Sequence, residues 1–361
     1  MQQPAAHERW SLTHTLSRGT WQEISLTLYR DPDSELGQDV HDLVTGLPEY
    51  SQIIRADVFG PPAVVDVHCP VTWVCPLNPE SAHLGGTYLQ VAAGASVTPI
   101  HLDGEHVGSV IETRDAREFV GAGIGPARPE ASAPDQARQI YERMERALEQ
   151  VGMDFSHVVR TWLFLNDILS WYDAFNVVRT AFFTERGVFD GLVPASTGIG
   201  GPNPYGWAIM TGVYAVKPKT DRVSVQALPS PLQCPALEYG SSFSRALEVD
   251  MVDHRRLLIS GTASIEPGGK TVHVGDVEGQ IALTVDVIEA ILDSRDMTWE
   301  DTTRATAYVL DPKDAVVFDR YRQENGLSSL PVVTAHSTIC RDDLLFELEV
   351  DAVRATPDLG S

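Results

Sequence analysis

The chain has 361 residues, enough for two or three domains at roughly 100–200 residues each. Hydrophobic residues make up 43% and charged residues 21%, so disorder is not the default reading, while 28 glycines and 23 prolines are scattered without period, which excludes collagen-like and linker-like classes. The 27 Lys and Arg against 50 Asp and Glu give a net charge of −23, which repels phosphate backbones and anionic membranes alike. A nucleic-acid binder and a membrane-surface protein are thereby disfavoured, and an anionic substrate would need a local Arg cluster to overcome the global field.

At the N-terminus, Met1 to Arg9 has no apolar core of the signal-peptide kind, and no apolar run in the chain approaches the ~18 residues of a membrane span. Cys69, Cys75, Cys234 and Cys340 form no CxxC pair, so neither a zinc knuckle nor a thioredoxin-like motif is supported and no metal site is expected. Reduced thiols in a cytoplasmic protein are the simplest expectation. Trp21 to Tyr29 alternates like a strand, but Gly60-Pro61-Pro62 and the prolines from Pro70 to Pro76 break up the chain beyond it. Residues 1–85 are expected to be an N-terminal addition or a degenerate unit.

Beyond residue 85 the chain repeats itself. Gly152 to Asp167 and Asp296 to Asp311 match at a constant offset, pairing Met153 with Met297, Phe155 with Trp299, Arg160 with Arg304 and Phe164 with Tyr308. Ala137, Ile140, Met144 and Leu148 form the stripe of an amphipathic helix ahead of the first copy, as Ile281, Val285, Ile288 and Leu292 do ahead of the second. Pro134 and Asp135 suit the first turn of one helix and Asp276 the cap of the other. Strand-like runs precede each helix (Arg117–Gly121, Arg256–Gly261), a second helix comes later (Trp171–Thr184, Ala315–Gln323), and a strand closes each unit (Trp207–Val216, Leu344–Val353). The expected fold is α+β, with tandem units at 86–220 and 235–355, each a mixed sheet covered by two helices on one face.

Within the closing strand of the second unit, Glu347 interrupts the apolar run Leu344-Leu345-Phe346. Alternation puts Leu345, Glu347 and Glu349 on one face. Aligning Ala352-Val353 with Ala215-Val216 puts Met210 opposite Glu347, so the first unit lacks that carboxyl. A buried carboxyl near a second anion keeps its proton and can act as an acid; a solvated strand residue is the plain alternative. Arg160 alternates with Trp162 and Phe164 on one strand face, an unusual place for a charge unless it is paired. His101 and His106 lack a third metal ligand and read as a loop. Gly198-Ile199-Gly200-Gly201 lacks the context of a dinucleotide site. Ser196-Thr197 has no Ser-His-Asp companion that sequence can place.

The unit resembles the RidA (YjgF/UK114) family in Ile259-Ser260-Gly261-Thr262-Ala263, in the helix start from Asp276 to Gln280, and from Leu330-Pro331 through Phe346-Glu347-Leu348-Glu349. In that family the active site lies where neighbouring subunits meet, so a tandem chain implies a site between its own units. A resemblance over roughly residues 85 to 354 is to the chorismatases. It is carried by Tyr239-Gly240-Ser241-Ser242-Phe243-Ser244-Arg245-Ala246, Ser260-Gly261-Thr262-Ala263-Ser264-Ile265 and Cys340-Arg341-Asp342-Asp343-Leu344-Leu345-Phe346-Glu347-Leu348-Glu349.

That resemblance implies cleavage of the dianion chorismate to pyruvate without metal or organic cofactor, with Glu347 as proton donor. Arg160 and Arg245 are expected to bind its carboxylates, Tyr205 and Tyr214 to donate hydroxyl hydrogen bonds to them, and Arg304 to be structural. Core packing is the alternative for the tyrosines, a surface ion pair for each Arg, and a small buried hydrophobe for Cys340. In the family a Cys seven residues before the acid marks the 3-hydroxybenzoate branch, as Cys340 does here, whereas Ala246 points to the branch that makes a dihydroxycyclohexadiene acid. The expectation is the 3-hydroxybenzoate branch. A RidA-like enamine or imine deaminase is weakened because Ala335-His336-Ser337 stands where that activity carries Ala-Arg-Ser. A non-catalytic metabolite-binding protein is the remaining alternative. The expected state is a monomer or small homo-oligomer.

Overall fold

The computed structural model describes residues 11–30, 36–63 and 67–356; Met1 to Arg9 lie outside them. The first strands and helix are β1 (Ser11–Arg18), β2 (Trp21–Tyr29), α1 (Leu36–Thr45), β3 (Ser51–Phe59), β4 (Val71–Val74) and β5 (Gly86–Ala93). Next come β6 (Val97–Leu102), β7 (Glu105–Glu112), β8 (Ala116–Ile124), α2 (Ala133–Gln150), β9 (Val158–Leu165), α3 (Ile168–Glu185), β10 (Ala195–Gly200) and β11 (Ile209–Pro218). The last group is β12 (Ser224–Leu228), β13 (Ala246–Asp250), β14 (His254–Ala263), α4 (Val277–Asp293), β15 (Thr302–Val309), α5 (Asp314–Glu324), β16 (Val332–His336) and β17 (Phe346–Ala355). No helix among the described residues is long and apolar enough to cross a membrane.

These strands form three mixed sheets, ordered β4-β3-β5-β2-β1, β10-β9-β11-β8-β7-β6 and β16-β15-β17-β14-β13-β12. In each, one edge strand (β4, β10 or β16) runs parallel to its neighbour and the remaining pairs are antiparallel. The chain is thus α+β and built of tandem units, each of the last two carrying a pair of helices on one sheet face. Two sequence boundaries differ from the sheets. β5 begins at residue 86 yet is the central strand of the first sheet, and β12 pairs in the third sheet although it precedes residue 235.

Local signals explain the matched helices. Ser132 Oγ accepts the Asp135 N–H at the start of α2, and Asp276 Oδ1 accepts the Gly279 N–H at the start of α4. The stripes Ala137-Ile140-Met144-Leu148 and Ile281-Val285-Ile288-Leu292 are both buried against their sheets. Even the turns that lead into β9 and β15 match, with capping boxes at Asp154/His157 and Thr298/Asp301.

The sheet faces turned away from the helices pack against one another, so β9 and β15 are buried along their whole length. At this centre the first sheet supplies a relationship that the offset between the two later units did not reveal. Arg55 with Phe59, Arg160 with Phe164 and Arg304 with Tyr308 occupy equivalent registers, pairing across their sheets with Gln90/Gly86, Tyr214/Met210 and Asp351/Glu347. All three guanidiniums are buried and converge on Trp162, at 3.6, 4.9 and 5.1 Å from its ring centroid. Phe59 packs edge-on against Phe164 and Tyr308 one layer further along.

Candidate active site

Sheets meet edge to face around this axis, and the junctions share a hydrogen bond. Between the first two sheets the Gly123 N–H donates to Thr72 Oγ1 at 3.0 Å; between the second and third the Gly261 N–H donates to Thr197 Oγ1 at 3.0 Å. The register of β17 differs on either side of Gly261, where Ile259 and Thr262 pair and the residues between do not. This irregularity turns the Gly261 amide toward Thr197. It also brings the Glu347 carboxyl so close that any Cβ at 261 would collide with it.

Glu347 pairs with Tyr308 and occupies the register that Met210 and Gly86 hold in the other two sheets. At the first junction the Met210 sulfur accepts the Trp73 N–H at 3.3 Å. At the second, the Glu347 carboxyl makes no ion pair or hydrogen bond among the described residues and borders a cavity of about 90 Å³. Burial, reinforced by the charge of Glu349 and opposed by Arg160, pushes Glu347 up to about 8, so it carries its proton at neutral pH.

Glu349, two residues on, has the opposite fate. Its Oε2 accepts from Arg160 at 2.7 Å and from Thr197 Oγ1 at 2.5 Å; its Oε1 accepts from Arg304 at 2.8 Å and from the Tyr308 hydroxyl at 3.2 Å. Burial alone would raise it, but Arg304, Arg160 and the Thr197 hydrogen bond outweigh burial and hold it at about 2. Two carboxyls on one strand face are thereby driven apart, one neutral and one ionised, the pattern of an acid beside a fixed charge.

The cavity is walled from both sides of the junction. From the second unit come Tyr172 and Arg179 on α3 with Ser196 and Gly198 on β10; from the third come Arg245, Gly261, Cys340, Arg341 and Glu347. Arg179, Arg245 and Arg341 make it locally cationic within a chain of net charge −23. Arg245 donates its Nε–H to the Cys234 carbonyl at 3.0 Å, and Arg341 donates to the Gly269 carbonyl at 2.8 Å. The Cys340 thiol is pushed up to about 12 by burial and by Glu347, with the Tyr172 hydrogen bond acting the other way, so it too is neutral.

A family model described as Endoribonuclease L-PSP matches residues 117–200. A chorismatase of Streptomyces hygroscopicus is 26% identical over 238 residues, which are 60% of this chain and 66% of that protein. A chorismatase of Streptomyces rapamycinicus is 29% identical over 220 residues, 55% of this chain and 64% of that protein, so each match spans just under two thirds of the relative. A chorismatase crystal structure has the same fold, with a TM-score of 0.66 at 20% identity over 95% of this chain and 98% of that one. The chain thus resembles chorismatases in sequence over more than half its length and in fold over nearly all of it.

Within this chorismatase-like fold, Glu347, Cys340 and Arg245 come together at one cavity, while four other residues singled out from the sequence stand elsewhere. Arg160 lies behind the cavity, committed to Glu349 and Thr197. Tyr214 spends its hydroxyl on Glu118 at 2.6 Å. Tyr205 is 58% exposed and stacks on Trp207 at 4.4 Å, in the loop after β10. Ala246 is sealed in the core beneath α4 with Ile259. His101 and His106 face each other across the β6–β7 hairpin rather than in a loop, their rings 5.0 Å apart. His336 lies outside this cavity, held by Ser81 Oγ at 2.7 Å and the Leu310 carbonyl at 3.1 Å.

Sequence reading missed Tyr172, Arg179, Arg341 and Glu349 as site residues. Arg341 and Glu349 lay within the matched motif. Tyr172 and Arg179 sit seven residues apart on α3 and so share a helix face, a spacing that marks a face without telling what it meets.

Proposed function

We propose that this chain cleaves the enolpyruvyl ether of chorismate and releases pyruvate, with Glu347 as the acid. The observation that carries this reading is a buried, protonated carboxyl without a polar partner in a cavity whose other charges are guanidiniums. A vinyl ether is cleaved by placing a proton on its terminal carbon, which leaves an oxocarbenium ion at the ether carbon. Glu347 gives up that proton and becomes a carboxylate beside the new positive charge, an interaction that grows only as the transition state forms. Arg179, Arg245 and Arg341 supply the countercharge for a dianion.

The oxocarbenium ion has two fates. If water adds to it, the hemiketal collapses to pyruvate and a dihydroxycyclohexadiene carboxylate, with one water consumed. If the neighbouring ring hydroxyl displaces the ether oxygen instead, pyruvate leaves and an epoxide forms; its bond to the carbon that first carried the hydroxyl breaks, and loss of a ring proton from the other carbon gives 3-hydroxybenzoate, with no net water consumed. We favour the second outcome. The neutral Cys340 thiol, hydrogen-bonded by Tyr172, occupies the cavity wall beside Glu347 where a water would otherwise find a polar partner. The test is incubation of the folded protein with chorismate, assayed for pyruvate and for the ring product. Pyruvate with 3-hydroxybenzoate is expected, and absence of pyruvate would overturn the reading.

A further inference from the structure

Among the described residues, Arg179 is a buried cation without a counter-ion. It is 2% exposed on α3 and lines the cavity shared with Glu347. Its terminal nitrogen donates to Asn176 Oδ1 at 2.7 Å, and its guanidinium stands 5.3 Å from the Phe175 ring centroid. Its Nε–H is buried with no acceptor, and no carboxylate of the described residues lies within 4.0 Å of it.

The contrast with other buried arginines is sharp. Arg18, Arg55, Arg143, Arg160, Arg256 and Arg304 each have a carboxylate oxygen within 2.8 Å; Arg245, also buried, shares the cavity with Arg179. In a chain with 50 acidic residues, the lack of a carboxylate partner for Arg179 among the described residues is not a shortage of acids. A guanidinium cannot shed its proton, so its burial stays unfavourable until an anion arrives.

The side chain is nonetheless held for that purpose. Asn176 lies one turn before it and Phe175 one position further, so the helix fixes the guanidinium from below. Thr180 Oγ1 meets Ser242 Oγ at 2.9 Å and ties α3 to the segment that carries Arg245. The fork is therefore preorganised at the unit junction, with its missing charge on the cavity side.

We propose that Arg179 is the carboxylate clamp of this site, binding one carboxylate of an incoming aromatic or cyclohexadiene acid. The identity of that acid rests on the chorismate reading above. The site was assembled by placing a cation where only a ligand completes it, and the apo protein carries the cost.

The test compares wild type with Arg179→Met and Arg179→Lys. Thermal unfolding is followed with and without saturating 3-hydroxybenzoate, and KM and kcat are measured with chorismate. For Arg179→Met the midpoint without ligand is expected to be unchanged or higher, because an uncompensated buried charge is gone. The midpoint rise that ligand gives the wild type is expected to vanish, and KM to increase about 10- to 100-fold with a smaller change in kcat. Arg179→Lys keeps the charge but loses the fork and should fall between; it carries the KM comparison if the Met variant does not fold. A lower midpoint for Arg179→Met together with unchanged KM and ligand shift in either variant would overturn the clamp and make Arg179 structural. If the wild type releases no pyruvate, the chorismate reading fails separately. The clamp then stands if 3-hydroxybenzoate stabilises wild type but not Arg179→Met, and falls if it stabilises neither or both.

Discussion

Glu347 and Glu349 lie two residues apart on the same buried face of β17, and one holds its proton to about pH 8 while the other is ionised down to about 2. The divergence comes from their partners. Glu349 receives two guanidiniums and two hydroxyls, whereas Glu347 faces the cavity with the negative charge of Glu349 behind it.

Replacing Glu347 with Gln keeps the shape and removes the transferable proton. Pyruvate release should fall by about 10²- to 10⁴-fold, the usual worth of a general acid, with KM little changed. Stability should also change with pH. The folded carboxyl binds its proton more tightly than its ordinary value of 4.5, so wild-type stability declines as pH rises from about 4.5 to about 8. Denaturant titrations of the Gln variant should lack that decline.

Glu349→Gln tests the origin of the acid. Without its negative charge, and with Arg160 and Arg304 no longer neutralised by it, Glu347 should ionise at lower pH. The alkaline limb of the pH–rate profile should therefore move toward acid. Removing one partner of a buried ion pair should also cost about 3–5 kcal/mol of stability. A profile that kept its alkaline limb in place would show that Glu349 does not set the acid.

Gly261→Ala probes contact rather than charge. The added methyl overlaps the Glu347 carboxyl, so that side chain must move. We expect kcat to drop by at least about 10-fold, read by steady-state kinetics at constant chorismate saturation, because small misplacements of a reacting group are costly.

Cys340→Ala and Tyr172→Phe address product choice. Both should still release pyruvate, but the ring product should shift from 3-hydroxybenzoate toward the diol acid, more in the Cys340 variant. Chromatography of the products reads the ratio directly, and an unchanged ratio in Cys340→Ala would remove the thiol from product selection.

Tyr214→Phe separates packing from binding. Loss of the hydroxyl leaves Glu118 with Arg18 as its remaining partner, so stability should fall by about 1–3 kcal/mol in denaturant titrations. KM for chorismate should not change.

The sequence by itself determined the α+β class, the repeat that matches Arg160 with Arg304, and the helices of the last two units, because local caps and apolar periodicity carry that information. Its alternation put Glu347 and Glu349 on one face, and the motif around them singled out Glu347 as the candidate acid. It did not reveal that Arg55 and Phe59 share the register of the other two arginine–aromatic pairs. No crossover helix lies between β3 and β4 among the described residues, and α1 has 10 residues against 18 in α2, so the helical signature is largely gone. Tertiary structure alone decided which arginines line the cavity beside Glu347. Arg160, buried on a strand, reads as a substrate group until Glu349 from the far end of the chain is seen to occupy it. Arg179 reads as one more helical surface charge until α3 is seated against the third sheet. Charge pairing of this kind is fixed by which chain segments meet, and a period or a motif does not encode the neighbour on the other side of a junction.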